Sequence, residues 1–166
     1  MTLFPLVYFD TNILIAFLED EFEKGDALRE MIAGHRRSET APRFLTSALT
    51  FSELLVKPYR ERALAAAQFY AGLRSGSYWL SVVPVSEQVL DLAAALRAAR
   101  RSLKLPDAIH VATAMQAGCS HFLTQDEGIQ TGEPVIHPLT GIALMPAPVI
   151  RPDAPTLAAI LKDLIR

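Results

Sequence analysis

The sequence Leu6-Val7-Tyr8-Phe9-Asp10-Thr11-Asn12 decides the fold of this chain. It opens with an unbroken apolar run of strand-favouring side chains, which is typical of a short strand buried on both faces of a parallel sheet. The run stops at Asp10, and in open α/β sheets ligands bind outside the carboxyl ends of the strands. Asp10 is therefore the first candidate functional residue. The alternative is that Asp10 only caps a helix that begins at Thr11 or Asn12, since all three residue types are good N-caps.

The composition fits one globular α/β domain. The chain has 166 residues, of which 51% are hydrophobic and 20% charged, enough to form a sizeable core. Its net charge of −2 gives no general attraction for nucleic acid, so phosphate binding needs local basic clusters or bound cations. A single cysteine, Cys119, excludes an intramolecular disulfide. Because neither a membrane-length apolar run nor a basic leader is visible, we expect a cytoplasmic protein with no membrane partner.

Glu53 is the second candidate. Residues 44–46 predict a short strand, and residues 47–56 predict a helix. The sequence Thr50-Phe51-Ser52-Glu53 fits a capping box, in which the glutamate bonds back to the start of its helix. Ser47 is an equally good cap, and it would place Glu53 in the second turn beside leucines. A carboxylate is unusual among such apolar neighbours unless it has a functional role. We favour this second interpretation.

A basic cluster precedes the third acid. Residues 79–83 predict a third strand, and Ser86 caps an amphipathic helix over residues 87–101. Cations at a helix C-terminus oppose the partial negative charge there, which gives the cluster a structural explanation. The cluster also leads directly into the next acid, so its members are possible contacts for nucleic-acid phosphates. They are Arg97, Arg100, Arg101 and Lys104.

The third and fourth acids are Asp107 and Asp126. Residues 105–112 predict a helix with Pro106 at its first position, which places Asp107 in the first turn, where the helix dipole favours a carboxylate. His110 lies inside this apolar helix, and we interpret it as a structural histidine. Residues 121–126 then repeat the opening pattern, a short apolar strand followed by a hydroxyl residue and an acid. Val135-Ile136 predicts a last edge strand.

Together these acids predict a metal site. Asp10 and Asp126 end two strands, while Glu53 and Asp107 lie in early helical turns that should face the same edge of the sheet. Four converging carboxylates repel one another unless cations are present. Mg²⁺ or Mn²⁺ prefers such oxygen ligands, and two ions about 4 Å apart would hold a phosphodiester and activate water.

Four ordered motifs resemble those of PIN-domain ribonucleases, and most closely the VapC-type toxins of bacterial toxin–antitoxin pairs. They are Asp10-Thr11-Asn12, Ser52-Glu53-Leu54-Leu55, Pro106-Asp107-Ala108 and Leu123-Thr124-Gln125-Asp126. The resemblance implies a three-layer α/β/α sandwich with a central, mainly parallel sheet over residues 1–137. It also implies a metal-dependent endoribonuclease, the toxin of such a pair, often a homodimer and held inactive by a small antitoxin.

The resemblance carries site residues over one by one. It implies that Asp10, Glu53, Asp107 and Asp126 are catalytic acids that bind Mg²⁺ or Mn²⁺. It assigns supporting roles to Thr124, whose hydroxyl would help to arrange the acids, and to Asn12, which would orient Asp10. For an RNA substrate, the basic cluster supplies the possible RNA contacts.

The chain departs from the family pattern at two places. Glu127 follows Asp126 directly, and the family pattern leaves open whether it joins the site. Residues 138–166 form a Pro-rich extension with a C-terminal amphipathic helix, which compact PIN toxins generally lack. This helix packs either on its own domain or against a dimer partner or antitoxin. Its apolar positions are Leu157, Ile160, Leu161, Leu164 and Ile165.

Two other protein classes share parts of this pattern. A phosphatase of the haloacid dehalogenase kind also begins with an aspartate after a strand, but it needs a second aspartate two residues later, where this chain has Asn12. The other alternative is a non-catalytic PIN-fold RNA-binding or scaffold protein whose acids serve only as caps. All four acids are present, which favours the nuclease.

Overall fold

The computed structural model describes residues 6–19, 23–36, 43–130 and 133–165. The strands are β1 (Val7–Phe9), β2 (Phe44–Ser47), β3 (Leu80–Val83), β4 (His121–Leu123), β5 (Val135–Ile136), β6 (Ala143–Leu144) and β7 (Val149–Ile150). The helices are α1 (Thr11–Glu19), α2 (Glu23–Arg36), α3 (Ala48–Leu54), α4 (Val56–Glu61), α5 (Leu64–Leu73), α6 (Glu87–Ala99), α7 (Leu105–Gln116) and α8 (Ala154–Ile165). None of these helices has the length and hydropathy that a bilayer span requires.

Five strands form one parallel sheet in the order β3-β2-β1-β4-β7. The chain runs outward from β1 through β2 and β3, and then returns to β4 on the other side of β1. The strand order therefore reverses between β1 and β4, and such a reversal opens a crevice at the carboxyl ends of the two strands. Asp10 directly follows β1 and Thr124 directly follows β4, so both residues lie at this crevice.

Helices cover both faces of the sheet, which confirms the expected three-layer α/β/α fold. The side chains of Val7 and Phe9 belong to a core that also contains residues of α1, α2, α3, α5 and α8. Tyr8, between them, belongs to a second core with α6, α7 and the β5–β6 hairpin. All three side chains are fully buried, and this two-sided burial explains why β1 is apolar without alternation.

Residues beyond 137 contribute to the same sheet and core. Strand β7 pairs with β4, so Val149–Ile150 is the edge strand on that side of the main sheet, opposite β3. Val135–Ile136 is a strand, as expected, but it pairs antiparallel with β6 in a separate hairpin and is therefore not an edge strand of the main sheet. Helix α8 packs against α2, with Leu157 and Ile160 buried in the first core. The side chains of the other three apolar positions of α8 lie outside the described part of the chain, and the boundary at residue 137 stays a prediction.

Helix α3 begins where the favoured interpretation placed it. The hydroxyl of Ser47 accepts a hydrogen bond from the Leu49 amide at 3.1 Å and caps the helix. Glu53 is consequently one residue from the end of α3 (Ala48–Leu54). This position excludes the capping box, because Glu53 is too far along the helix to bond back to its first amide.

Candidate active site

Asp10 lies at the crevice with only 5% of its surface exposed. Its backbone carbonyl accepts the first hydrogen bonds of α1, while its carboxylate accepts three more from side chains and backbone. Oδ1 accepts the Thr11 amide at 2.7 Å, and Oδ2 accepts the Asn12 amide group at 3.0 Å and the Thr124 hydroxyl at 2.6 Å. Asp10 therefore both begins a helix and presents an ionisable group in the crevice, and the two supporting residues contact it directly.

Thr124 and Asn12 tie the ends of β1 and β4 together. The Thr124 hydroxyl accepts hydrogen bonds from Asn12 Nδ2 at 3.1 Å and from the Asp126 backbone amide at 3.0 Å. Asn12 Oδ1 in turn accepts the Gln125 amide at 2.9 Å. Both polar atoms of the Asn12 side chain are thus bonded to an acid or to a neighbour of one, which holds the Asp10 and Asp126 segments in one arrangement.

Asp126 lies half-buried in the turn after β4. Its Oδ1 accepts the Gly128 amide at 2.7 Å. A Cβ atom at position 128 would lie only 3.1 Å from the same oxygen, so a larger residue there would crowd the carboxylate. Glu127 is exposed.

Glu53 is held by two donors on other elements. The Thr11 hydroxyl donates to Glu53 Oε2, and His110 Nε2 lies 3.0 Å from the same oxygen. Burial opposes ionisation of the Glu53 carboxyl, but the hydrogen bonds from His110 and Thr11 outweigh it and hold its pKa below the usual 4.5. The Glu53 side chain is therefore a fixed carboxylate that faces α7.

His110 is the main candidate functional residue that sequence reasoning missed. It is 1% exposed, and its Nδ1 lies 2.8 Å from the Tyr8 hydroxyl while its Nε2 faces Glu53. Burial and the nearby charge of Asp10 raise the pKa of Tyr8 well above 10.0, so Tyr8 keeps its proton and can donate it to Nδ1. With Tyr8 donating to Nδ1, it is Nε2 that carries the hydrogen donated to Glu53. His110 Nε2 is also 3.7 Å from Asp10 Oδ1.

A sequence signal for His110 did exist. His110 lies three residues after Asp107 in α7, and side chains at this spacing share one face of a helix. That spacing places the histidine on the side of α7 that carries the acid.

Asp107 lies in the first turn of α7, as expected. The helix begins at Leu105, so Pro106 is its second residue and not, as expected, its first. Burial raises the pKa of the Asp107 carboxyl, and the negative charges of Asp126 and Asp10 raise it further, while Lys104 and His110 act in the opposite direction. Asp107 is therefore near enough to both strand-end acids to be repelled by them. This like-charge repulsion is the electrostatic signature of an acidic site.

The acids of the crevice do not by themselves form a complete set of metal ligands in the described part of the chain. Among the described residues, no three His, Cys, Asp or Glu side chains are placed so that they could hold a metal ion together. Two acids have protein partners instead, since Asp10 and Glu53 both accept several hydrogen bonds. The chemistry of the donor set still fits a hard cation, because Mg²⁺ commonly keeps several waters and needs only one or two carboxylates as direct ligands.

The basic cluster divides into two pairs. Arg97 donates to the Leu103 carbonyl at 3.2 Å, and Arg100 donates to the carbonyls of Gln130 at 2.7 Å and Glu133 at 2.6 Å. These two guanidinium groups hold loops. Arg101 and Lys104 are exposed, and Lys104 lies close enough to Asp107 to lower its pKa.

A groove opens beside the acids. It has a volume of about 370 Å³ and is lined by Asn12, Ile15, Ala16, Glu19 and Gln125. Asn12 borders both this groove and the Asp10 carboxylate. Asn12 is therefore shared between the groove and the contacts of Asp10.

Comparison with known proteins gives one family and a set of similar folds. The family model of the PIN domain matches residues 7–131. A toxin–antitoxin complex from Klebsiella pneumoniae contains a chain of similar fold, with a TM-score of 0.58 and 23% identity over 89% of this chain and 98% of that chain. No curated protein sequence matches the chain significantly.

Two further solved structures have the same fold. A VapC toxin from Mycobacterium tuberculosis, described as cleaving the sarcin–ricin loop, aligns with a TM-score of 0.58 and 17% identity over 73% of this chain and 90% of its own. A VapBC complex from Rickettsia felis, bound to a DNA fragment from its promoter, aligns with a TM-score of 0.57 and 10% identity over 87% and 97%. Identities this low establish a shared fold.

Proposed function

The chain belongs to the PIN domain family, a family of nucleases, and we propose that it is a metal-dependent endoribonuclease. The observation that carries the proposal is the placement of the acids at the crevice between β1 and β4, where the Thr124 hydroxyl bonds both Asp10 and the Asp126 amide. Asp107 is near enough to both acids that their charges add to the effect of burial in raising its pKa. Acids that repel one another at a ligand-binding crevice cost stability, and a role in binding cations explains why they are kept together.

Each acid of the proposed cation site is held by different neighbouring residues. Asp10, Asp107, Asp126 and Glu53 would hold Mg²⁺ or Mn²⁺, which when bound polarises a phosphodiester oxygen and lowers the pKa of a bound water. Asn12 and Thr124 orient Asp10. Thr11 and His110 orient Glu53 and keep it ionised.

The proposal is tested by incubating the purified chain with total bacterial RNA. We expect discrete fragments in Mg²⁺ or Mn²⁺ and none in a chelator, because without a cation the acids repel the phosphates. The Asp107→Asn variant controls for contaminating nucleases. Fragments that form in the chelator, or equally with the variant, would contradict the proposal. RNA that is bound but never cut under either ion would identify a non-catalytic RNA-binding protein instead.

We also propose that Arg101 and Lys104 contact RNA phosphates. Both are exposed next to the helix that carries Asp107, whereas Arg97 and Arg100 are already bonded to backbone carbonyls. Replacing both Arg101 and Lys104 by Gln should weaken RNA binding and flatten its salt dependence. With single-stranded RNA, the slope of log affinity against log salt should fall by about 0.7 for each phosphate that the protein no longer neutralises.

The measurement uses an Asp107→Asn background, so that RNA is bound without being cut, at several salt concentrations. Arg100→Gln is the matched comparison. It should lower the melting temperature, because the carbonyls of Gln130 and Glu133 lose their donor, while the salt slope stays as in the parent. Equal slopes for the double variant and its parent would remove Arg101 and Lys104 from the RNA surface.

The proposal includes a protein partner. The support is that two of the solved structures of similar fold come from toxin–antitoxin complexes. We propose that this chain is likewise a toxin of the VapC type, a cytoplasmic homodimer that a small antitoxin holds inactive.

A further inference from the structure

Arg151 links the C-terminal extension to the segment that carries Asp126 through three hydrogen bonds. It directly follows β7, whose backbone is bonded to β4, since the Thr124 amide donates to the Ile150 carbonyl at 3.2 Å. The extension therefore brings a guanidinium group to the carboxyl end of β4. This residue lies beyond position 131, where the match to the family model ends.

The guanidinium group is surrounded by three carbonyl groups of one turn. Its Nη1 donates to Thr124 at 3.1 Å and to Asp126 at 2.7 Å, and its Nη2 donates to Ile129 at 3.1 Å. The three carbonyls converge on one guanidinium group, and of these the Asp126 carbonyl also accepts the Ile129 amide at 3.2 Å. Hydrogen bonds from a charged donor are stronger than neutral ones, so Arg151 fixes the shape of this turn.

The shape of the turn decides where the Asp126 carboxylate lies. The Asp126 amide donates to the Thr124 hydroxyl, and Asp126 Oδ1 accepts the Gly128 amide. The first bond ties the start of the turn to Asp10, because the Thr124 hydroxyl also donates to the Asp10 carboxylate, whereas the second bond is internal to the turn. The Arg151 bonds extend this link beyond Thr124, because they tie the carbonyls of Asp126 and Ile129 to the end of β7.

We propose that Arg151 is a positioning residue for the metal site, and that the C-terminal extension is part of the nuclease. Arg151 holds the turn from Thr124 to Ile129 so that Asp126 faces Asp10 and Asp107. This inference rests on the proposed function, because it assigns Arg151 to the same acidic site. A lysine would not replace the arginine fully, since an ammonium group lacks the planar fork that reaches three acceptors at once.

The experiment compares Arg151→Gln and Arg151→Lys with the full-length parent. Mn²⁺ affinity is measured directly by calorimetry, and hydrogen exchange is measured at the amides of residues 124–130. Residues that hold a metal ligand in place from outside the coordination shell typically change metal affinity by about 10–100-fold when they are replaced. We expect Arg151→Gln to weaken Mn²⁺ binding by this amount and to speed exchange in the turn more than elsewhere. Arg151→Lys should lie between Arg151→Gln and the parent.

His137→Gln is the matched control, because His137 also makes three hydrogen bonds that anchor the same C-terminal region. Its Nε2 lies 2.8 Å from Asp91, and its Nδ1 accepts the amides of Leu139 and Thr140 at 3.3 Å. None of these partners is an acid of the crevice. We expect both His137→Gln and the Arg151 variants to lower the melting temperature, because each loses hydrogen bonds. His137→Gln should nevertheless bind Mn²⁺ with the affinity of the parent.

The outcomes separate the positioning role from the proposed function. If the parent binds Mn²⁺ and Arg151→Gln binds it equally well despite a lower melting temperature, Arg151 is only structural and the inference is overturned. Uniformly faster exchange across the chain would overturn it as well. If the parent itself binds no Mn²⁺, the proposed function fails, and the positioning role fails with it.

Discussion

Replacing Asp107 by Asn is expected to abolish metal-dependent RNA cleavage while leaving the folded chain at least as stable at neutral pH. Bound cations contribute several kcal/mol of transition-state stabilisation, so loss of a ligand should slow cleavage more than about a hundredfold. Stability should not fall, because Asn removes a charge that burial disfavours and that Asp126 and Asp10 repel. Most single substitutions of partly buried residues destabilise proteins, which makes this combination distinctive.

The pH dependence follows from the sign of the Asp107 shift. Its folded-state pKa lies above the usual 3.8, so the unfolded chain ionises more readily, and ionised Asp107 disfavours folding above the folded-state pKa. This penalty is lost as the pH falls below the unfolded value. Urea unfolding of the chelated protein should therefore show the Asp107→Asn variant at least as stable as the parent near pH 7, with the difference disappearing below about pH 4.

Asp10→Asn is the informative companion to Asp107→Asn. It should also abolish cleavage, but the structure indicates a loss of stability of about 1–3 kcal/mol. An Asn at this position would place an amide N–H group among the donors of Thr11, Asn12 and Thr124, all of which now point at the Asp10 carboxylate. Full cleavage by Asp107→Asn, or equal destabilisation by both variants, would contradict the assigned surroundings of these two acids.

Replacing His110 by Leu is expected to give the second large effect. The fully buried Tyr8 hydroxyl would lose His110 and keep only Ser47, among the described residues, as a hydrogen-bond partner, at a cost of about 1–3 kcal/mol. Glu53 would lose a donor that keeps it ionised. The rate of RNA cleavage should fall as well as the stability, because the Glu53 carboxylate would no longer be held facing α7. Thr11 would remain as its second donor.

A double-mutant cycle with Tyr8→Phe separates the two consequences. Removing both partners of a buried hydrogen bond is far less costly than removing one. Tyr8→Phe in the His110→Leu background should therefore restore stability in urea unfolding but leave cleavage low, since Glu53 still lacks its donor. Additive losses of stability would show that Tyr8 and His110 are not coupled, and restored cleavage would mean that His110 acts only through packing.

The sequence predicted the strand ends at which two acids of the candidate site lie. Asp10 and Asp126 each come after a short apolar strand, and parallel strands place their carboxyl ends at one edge of the sheet. The two acids therefore lie at the same edge as long as β1 and β4 are neighbours, as they are here. The burial of Val7, Tyr8 and Phe9 in two separate cores was likewise implied by a continuous apolar run.

The contacts made across the sheet could not be predicted in this way. Tyr8 and His110 are 102 residues apart, and their pairing depends on how α7 is rotated against the sheet. Arg151 carried no sequence signal because β7 has only two residues, too few to distinguish Val149–Ile150 from the equally apolar Val135–Ile136. Both segments are Val-Ile, so their own sequence cannot decide which of them joins the main sheet. The difference comes from the strand that each one pairs with, β4 or β6.

The most direct test of the central claim, that the acids at the β1–β4 crevice bind the cation on which cleavage depends, is the anomalous scattering of crystals soaked in Mn²⁺. We expect a peak at this crevice with carboxylate oxygens of Asp10, Asp107 or Asp126 about 2.1 Å away. The peak should be lost in Asp107→Asn crystals. An enzyme that cleaves RNA in Mn²⁺ but whose crystals show no peak at the crevice, or a peak elsewhere, would contradict this claim.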